Sequence, residues 1–277
     1  MTFCEKGCSK ERFFIDSGFE ISSLLNIDGV LWIEPVLSTD ARNLQAASLM
    51  ATGSYLQTTQ WSYGLNGSGV VLGIADSGID ADHSCFRNAT NPGDFGSDGV
   101  NAIGIIGEEH RKILSINNSI DSADTMGHIN FRHGTHTAGS LACFDVYDYR
   151  DGSIPSNASS IAHGAKMVVQ DIVSADGWVP PENISELLSE AAIFGSIIHS
   201  NSWGDDTTEY TARSGEFDAW AIQMPWSLAF IAPGNTGGAL LEPANARNVA
   251  AIGASTKAES PEKWPSSSIG PTESGTI

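Results

Sequence analysis

Short apolar runs alternate with stretches of helical spacing, and the alternation becomes regular in the second half of the chain. Residues 166–173 (Lys-Met-Val-Val-Gln-Asp-Ile-Val) predict a strand. Residues 182–194 predict a helix, with Leu187, Leu188, Ala191 and Ala192 at helical spacing. The pattern then predicts a strand over 197–201, a helix over 214–224, and strands over 227–232 and 249–253. Further upstream, the run from Gly69 to Ala75 closes in Asp76-Ser77-Gly78. An unbroken apolar run of this length reads as a strand buried on both faces, with a carboxylate at its C-terminal end. Strands separated by helices imply βαβ units with right-handed crossovers. The expected class is therefore α/β, three layers, with a mostly parallel central sheet covered by helices on both faces.

Elsewhere the pattern is weaker. Residues 41–58 have helical spacing, and 59–69 are a turn-rich approach to the Asp76 strand. Residues 82–127 are rich in Asn, Asp, Gly and Ser and read as one long polar insert. Near the start, residues 21–25 suggest a short helix and 29–36 a strand closed by proline. There are no internal repeats.

Three stretches carry chemistry. Arg132-His133-Gly134-Thr135-His136-Thr137-Ala138-Gly139-Ser140 sets a histidine at the start of a helix of small residues, open enough for a base to work. Asp76 ends the upstream strand, and the run 228–235 breaks at Pro233-Gly234 and ends in the amide of Asn235. An acid, a histidine and an amide, each at a strand end or helix start, are the components of acyl transfer.

These motifs resemble those of the subtilisin-like serine peptidases, the subtilases. Asp76 matches the aspartate of the family's Asp-Ser/Thr-Gly motif, His133 the first histidine of His-Gly-Thr-His, and Asn235 the oxyanion asparagine. His199-Ser200-Asn201-Ser202-Trp203-Gly204 and Ser268-Ile269-Gly270-Pro271-Thr272 are similar to stretches of the alkaline-protease branch of KP-43 type. The resemblance runs from about Ala41 to the last residue. It implies a serine endopeptidase in which His133 is the general base, Asp76 orients it and Asn235 donates to the oxyanion. It further implies that Asn201, Ser202, Trp203 and Gly204 face Ala232 and Gly234 across an extended peptide or protein substrate. His136 is expected to be structural, packed beneath the helix.

One motif is missing: the nucleophile's Gly-Thr-Ser-Met-Ala. Ser274, in the last four residues, is a poor substitute. The resemblance therefore places the nucleophile beyond Ile277 and makes residues 39–277 an incomplete catalytic domain, inactive as it stands. Residues 1–38 read as a propeptide remnant or N-terminal extension. Two alternatives compete: a peptide-binding pseudo-protease, and a metal-dependent hydrolase using His133, His136, Asp76 and His83. The second is weaker, because no general-base glutamate lies between the two histidines.

Composition narrows the partners. A chain of 277 residues with a formal charge of −19 argues against nucleic acid and anionic membrane, and no segment is long enough to span a bilayer. Residues 1–14 lack the apolar core of a secretory signal. The family is mostly exported, so an extracellular or secretory location is expected, with the true N-terminus upstream. Sequons begin at Asn66, Asn88, Asn117, Asn157 and Asn183. Cys4 and Cys8 make a lone pair that does not suit zinc. Cys85 follows the Asp strand and Cys143 the His helix, which fits either a disulfide or two buried thiols. No cofactor is needed for the chemistry and no metal ligand is assigned. Structural Ca²⁺ is compatible with the acidity, with Asp94, Asp98, Asp121 and Asp124 as candidate oxygens, although a solvated loop accounts for them more simply.

Overall fold

The computed structural model describes residues 58–87, 104–117, 124, 132–144, 159–174, 177–256, 262–272 and 275. The expectations for residues 1–57, for Cys4 and Cys8, for Asp94, Asp98 and Asp121, and for Ser274 lie outside these residues.

After a single turn of helix, α1 (Thr59–Ser62), the chain enters β1 (Val71–Asp76). Strands β2 (Gly104–Ile105) and β3 (Ile113–Asn117) follow, then helix α2 (His133–Ala142) and β4 (Lys166–Asp171). A small hairpin of β5 (Val173–Ser174) and β6 (Gly177–Trp178) leads into α3 (Ile184–Ile193). The chain continues through β7 (Ile198–Asn201), α4 (Ala212–Gln223), β8 (Leu228–Ile231) and β9 (Ala250–Ala251). The main sheet has the order β2-β3-β4-β1-β7-β8-β9 and is parallel except where β2 meets β3.

Two corrections to the expected elements matter. The insert at 82–127 is not wholly loop, because β3 lies within it and pairs with β4, with Ile113, Leu114 and Ile116 buried. The run 166–173 is not one strand: after Asp171 the chain turns into the hairpin that carries Trp178.

The period-two alternation of β1 divides the core between two faces. Leu72 and Ile74 pack with Met167 and Val169 of β4 against Ala138 and Ala142 of α2. Ala75 faces the other way, into a cluster with Leu187 and Leu188 of α3, Phe217 and Trp220 of α4, and Ala229 and Ile231 of β8. Helices thus cover both faces, giving the expected three layers. Asp76 shares the parity of Leu72 and Ile74, so it points toward the α2 side. Parallel sheets place functional groups at this C-terminal edge of their strands.

Candidate active site

Asp76 and His133 meet where β1 ends and α2 begins. The His133 Nδ1–H donates to Asp76 Oδ1 at 2.7 Å, which leaves Nε2 without a partner among the described residues. The carboxylate is buried and held by two further donors, Ser77 N at 2.8 Å on Oδ1 and Thr137 Oγ1 at 3.1 Å on Oδ2. The imidazole side chain is 38% exposed, open enough to meet a molecule in solution. Its pKa lies above the usual 6.5, chiefly through the hydrogen bond to Asp76, with burial opposing and the charges of Asp76 and Asp124 adding to it. The Trp178 indole stands edge-on to the imidazole, 6.1 Å between centroids.

Gly134 explains why the helix can start so close to β1. A Cβ there would overlap the carbonyl oxygen of Gly78, so only glycine permits this approach. The first-turn amides of α2 are then satisfied across the gap: Gly134 N donates to Ser77 Oγ at 2.8 Å, and Thr135 N to Asp124 Oδ2 at 2.8 Å. Thr135 Oγ1 in turn accepts from Asp80 N at 2.8 Å.

A cleft of about 260 Å³ opens beside His133. It is lined by Trp178, by Ser202, Trp203 and Gly204, by Ala232, Gly234 and Asn235, and by Leu241 and three acids, Asp205, Asp206 and Glu242. Five of the six residues expected as substrate walls therefore line the same cleft as the histidine. The sixth, Asn201, does not. It is only 1% exposed at the end of β7, behind the wall. Trp203 borders the cleft, but most of its ring is core, tilted against Phe217 and covered by the Arg213 guanidinium. Asn235 is exposed, and its side-chain amide makes no hydrogen bond within the described residues. The loop before it is pinned by Ser268, whose N–H donates to Gly234 O at 3.0 Å.

The acids are less available than their number suggests. Glu242 accepts from Thr211 N, Thr211 Oγ1 and Ser214 N at the start of α4, while Asp205 pairs with Arg213 at 2.5 Å.

Other residues depart from expectation. His136 is exposed, not packed beneath α2, because the helix buries the face of Gly134, Ala138 and Ala142. The Asp124 side chain is not solvated: it is 4% exposed, and among the described residues its carboxylate accepts from Ser77 Oγ, Arg132 N and Thr135 N. Only its sequence proximity to the histidine motif pointed there. His83 uses Nδ1 to accept from Cys85 N. Among the described residues, no three His, Cys, Asp or Glu side chains converge to hold a metal ion. Cys85 and Cys143 form a disulfide between the loop after β1 and the end of α2.

Comparison with known proteins gives a consistent result. The profile of the subtilase family matches residues 67–277. Two Dictyostelium discoideum proteins, the serine protease/ABC transporter B family proteins tagD and tagB, are 31% identical over 202 residues and 30% identical over 198 residues. Each alignment covers 69% of this chain but only 10% of the relative, so the chain spans about a tenth of the length of these proteins. A solved structure of the protease domain of PatA aligns with a TM-score of 0.51 at 21% identity, covering 75% of this chain and 65% of that one, which is a likeness of fold.

Proposed function

Because this chain belongs to the subtilase family, we propose that it carries the base, the orienting acid and the oxyanion donor of a serine endopeptidase. The observation that supports this most is the 2.7 Å contact between His133 Nδ1 and the buried Asp76, with Nε2 left facing a cleft that also holds Asn235. Asp76 fixes the tautomer and stabilises the imidazolium that forms when His133 takes a proton from the nucleophile. The proton then passes to the leaving amine. Asn235 donates its amide N–H to the carbonyl oxygen as charge develops there. Ser202–Gly204 and Ala232–Gly234 pair with the backbone of an extended peptide as an added strand.

The nucleophile in this reading is a serine outside the described residues. The sheet face on the α2 side favours this assignment. Ile74 of β1 aligns with Ser200, Phe230 and Ala250 across β7, β8 and β9, and Leu72 aligns with Ile198 and Leu228. Past β1 this face is only partly covered among the described residues: Ile198, Phe230 and Ala250 are half-buried, Leu228 is 39% exposed, and Ile252, just after β9, is 55% exposed. In this reading a segment that follows β9 carries the serine and lies over these groups. The two slime-mould relatives are named as serine proteases. The alkaline-protease branch and an extracellular or secretory location, where a Cys85–Cys143 bridge persists, belong to the same reading.

The test is peptide hydrolysis by the parent reading frame, purified whole, beside its His133→Ala variant. The reading expects the variant to lose roughly 10⁶-fold in kcat, the order measured for the corresponding histidine in a subtilisin. Equal activity in the two proteins would refute it. A folded parent without hydrolysis that still binds peptide in the cleft would point instead to a pseudo-protease.

A further inference from the structure

Resting on the peptidase reading, we propose that Asp124 is a positioning residue, the group that docks the start of α2 onto the end of β1 and so sets where His133 stands relative to Asp76. The N-cap residue of α2, Arg132, takes left-handed backbone geometry at φ 62° and offers no side-chain cap. A helix start normally receives an oxygen from its own N-cap for the amides of its first turn. Here the oxygens come from elsewhere. Asp124 Oδ1 accepts from Arg132 N at 2.6 Å and Oδ2 from Thr135 N at 2.8 Å. Ser77 serves one of the two amides between them: its Oγ accepts from Gly134 N at 2.8 Å and donates to Asp124 Oδ1 at 2.8 Å.

Ser77 also joins the two acids. Its N–H donates to Asp76 Oδ1 while its hydroxyl donates to Asp124 Oδ1. Asp76 and Asp124 are thus linked through a single residue, and both are fixed to the first turn that presents His133. Among the described residues the contacts on Asp124 come from two backbone amides and the Ser77 hydroxyl, all donating, which favours the carboxylate anion. That charge also favours the positive end of the helix and the imidazolium formed during reaction. Burial pushes the Asp124 pKa up and the hydrogen bonds from Thr135, Ser77 and Arg132 pull it back, leaving a net rise. The other charged groups facing His133 are Asp76 from β1 and, around the cleft, Asp205, Asp206 and Glu242. A base misplaced by about 1 Å forfeits much of its advantage, which is why a docking residue matters to the chemistry.

The experiment uses the whole 277-residue chain, with NMR of His133 and of the first-turn amides, in Asp124→Asn and Ser77→Ala. In D124N, the titration midpoint of His133 falls because a neighbouring negative charge is gone. Exchange of the Thr135 amide speeds up about tenfold or more, since a bond to a charged acceptor is lost. In S77A, Gly134 exchange speeds up comparably, while the His133 midpoint falls less because the Asp124 charge remains. A folded D124N that melts earlier but keeps the wild-type His133 midpoint has lost structural support only, and overturns the proposal. Should D124N fail to fold, S77A decides: unchanged Gly134 exchange and an unchanged His133 midpoint overturn it. None of these readouts needs hydrolysis. Absence of peptidase activity in the parent protein would defeat the proposed function and leave this result standing.

Discussion

The His199 ring on β7 lies across Gly73 on β1, and the missing side chain at Gly73 lets it reach Gln170 on β4. The two strands pair with Gly73 opposite His199, and the His199 Nε2 to Gln170 Oε1 distance is 2.8 Å. A Cβ on Gly73 would overlap His199 Cδ2 and press on the Ala191 methyl of α3 at 3.0 Å. Gly73→Ala is therefore an overpacking change in the most central strand. We expect a loss of about 1–3 kcal/mol in urea unfolding at constant m-value. A loss below about 0.5 kcal/mol would show that the layer yields more easily than this packing implies.

The same contact fixes a tautomer. Gln170 Nε2 donates to Leu187 O at 2.7 Å and to Glu190 Oε2 at 2.8 Å, so its Oε1 faces His199 and accepts. His199 Nε2 must then carry the hydrogen, leaving Nδ1 buried without a partner. Burial lowers the pKa of this histidine to about 4 from 6.5. Above pH 6.5 neither folded nor unfolded chain holds the extra proton, and the contribution to stability is complete. As the pH drops from 6.5 toward 4, the unfolded chain binds a proton that the native state refuses. Stability should fall across that window by up to about 3 kcal/mol. Melting temperatures from pH 7 to pH 4.5 should show a downward slope that is shallower in His199→Asn. Equal slopes in the two proteins would mean that other groups govern acid sensitivity.

The Cys85–Cys143 bridge closes a 58-residue separation that contains β2, β3 and the whole of α2. On the chain-entropy account, cutting a loop of that length costs about 4 kcal/mol. Non-reducing peptide mapping should recover the two cysteines in one linked pair of fragments. Reductant should lower the melting temperature by several degrees, and Cys85→Ala/Cys143→Ala should already sit at the lower value. Separate fragments before reduction would contradict the bridge.

Asn235 should matter to rate and little to binding. If its amide serves the oxyanion as proposed, it meets charge that exists only in the transition state, so Asn235→Ala in the parent protein should lower kcat by about 10²–10³, the loss measured at this donor in a subtilisin, with KM nearly unchanged. A change confined to KM would make it a substrate contact instead.

Much of this arrangement could be read from residues because local signals agreed. An apolar run ending in Asp76, and His133 followed by Gly134 and Thr135, each describe a strand end or helix start without reference to the rest of the chain. What stayed hidden depends on distant partners. β3 follows Glu108-Glu109-His110-Arg111-Lys112, a polar lead that reads as loop. Yet Lys112 is buried, because its ammonium group finds the carbonyls of His163 and Ala165 at 2.8 and 2.6 Å. Burial lowers its pKa to about 7. Asp124 looked like one more loop acid, since its donors lie in the Asp76 motif and in the first turn of α2. His136 shares a motif with His133, but helical spacing turns it outward. Asn201 belongs to the stretch that forms the cleft wall, and strand alternation turns it inward.

The central claim, that Asp76 and His133 serve a serine nucleophile, meets its most direct test in fluorophosphonate labelling of the whole parent protein, followed by mass spectrometry of the labelled residue. The account predicts one labelled serine, in a segment that follows β9, with labelling lost in His133→Ala and sharply slowed in Asp76→Asn. No labelled serine, or labelling that proceeds unchanged without His133, would contradict it.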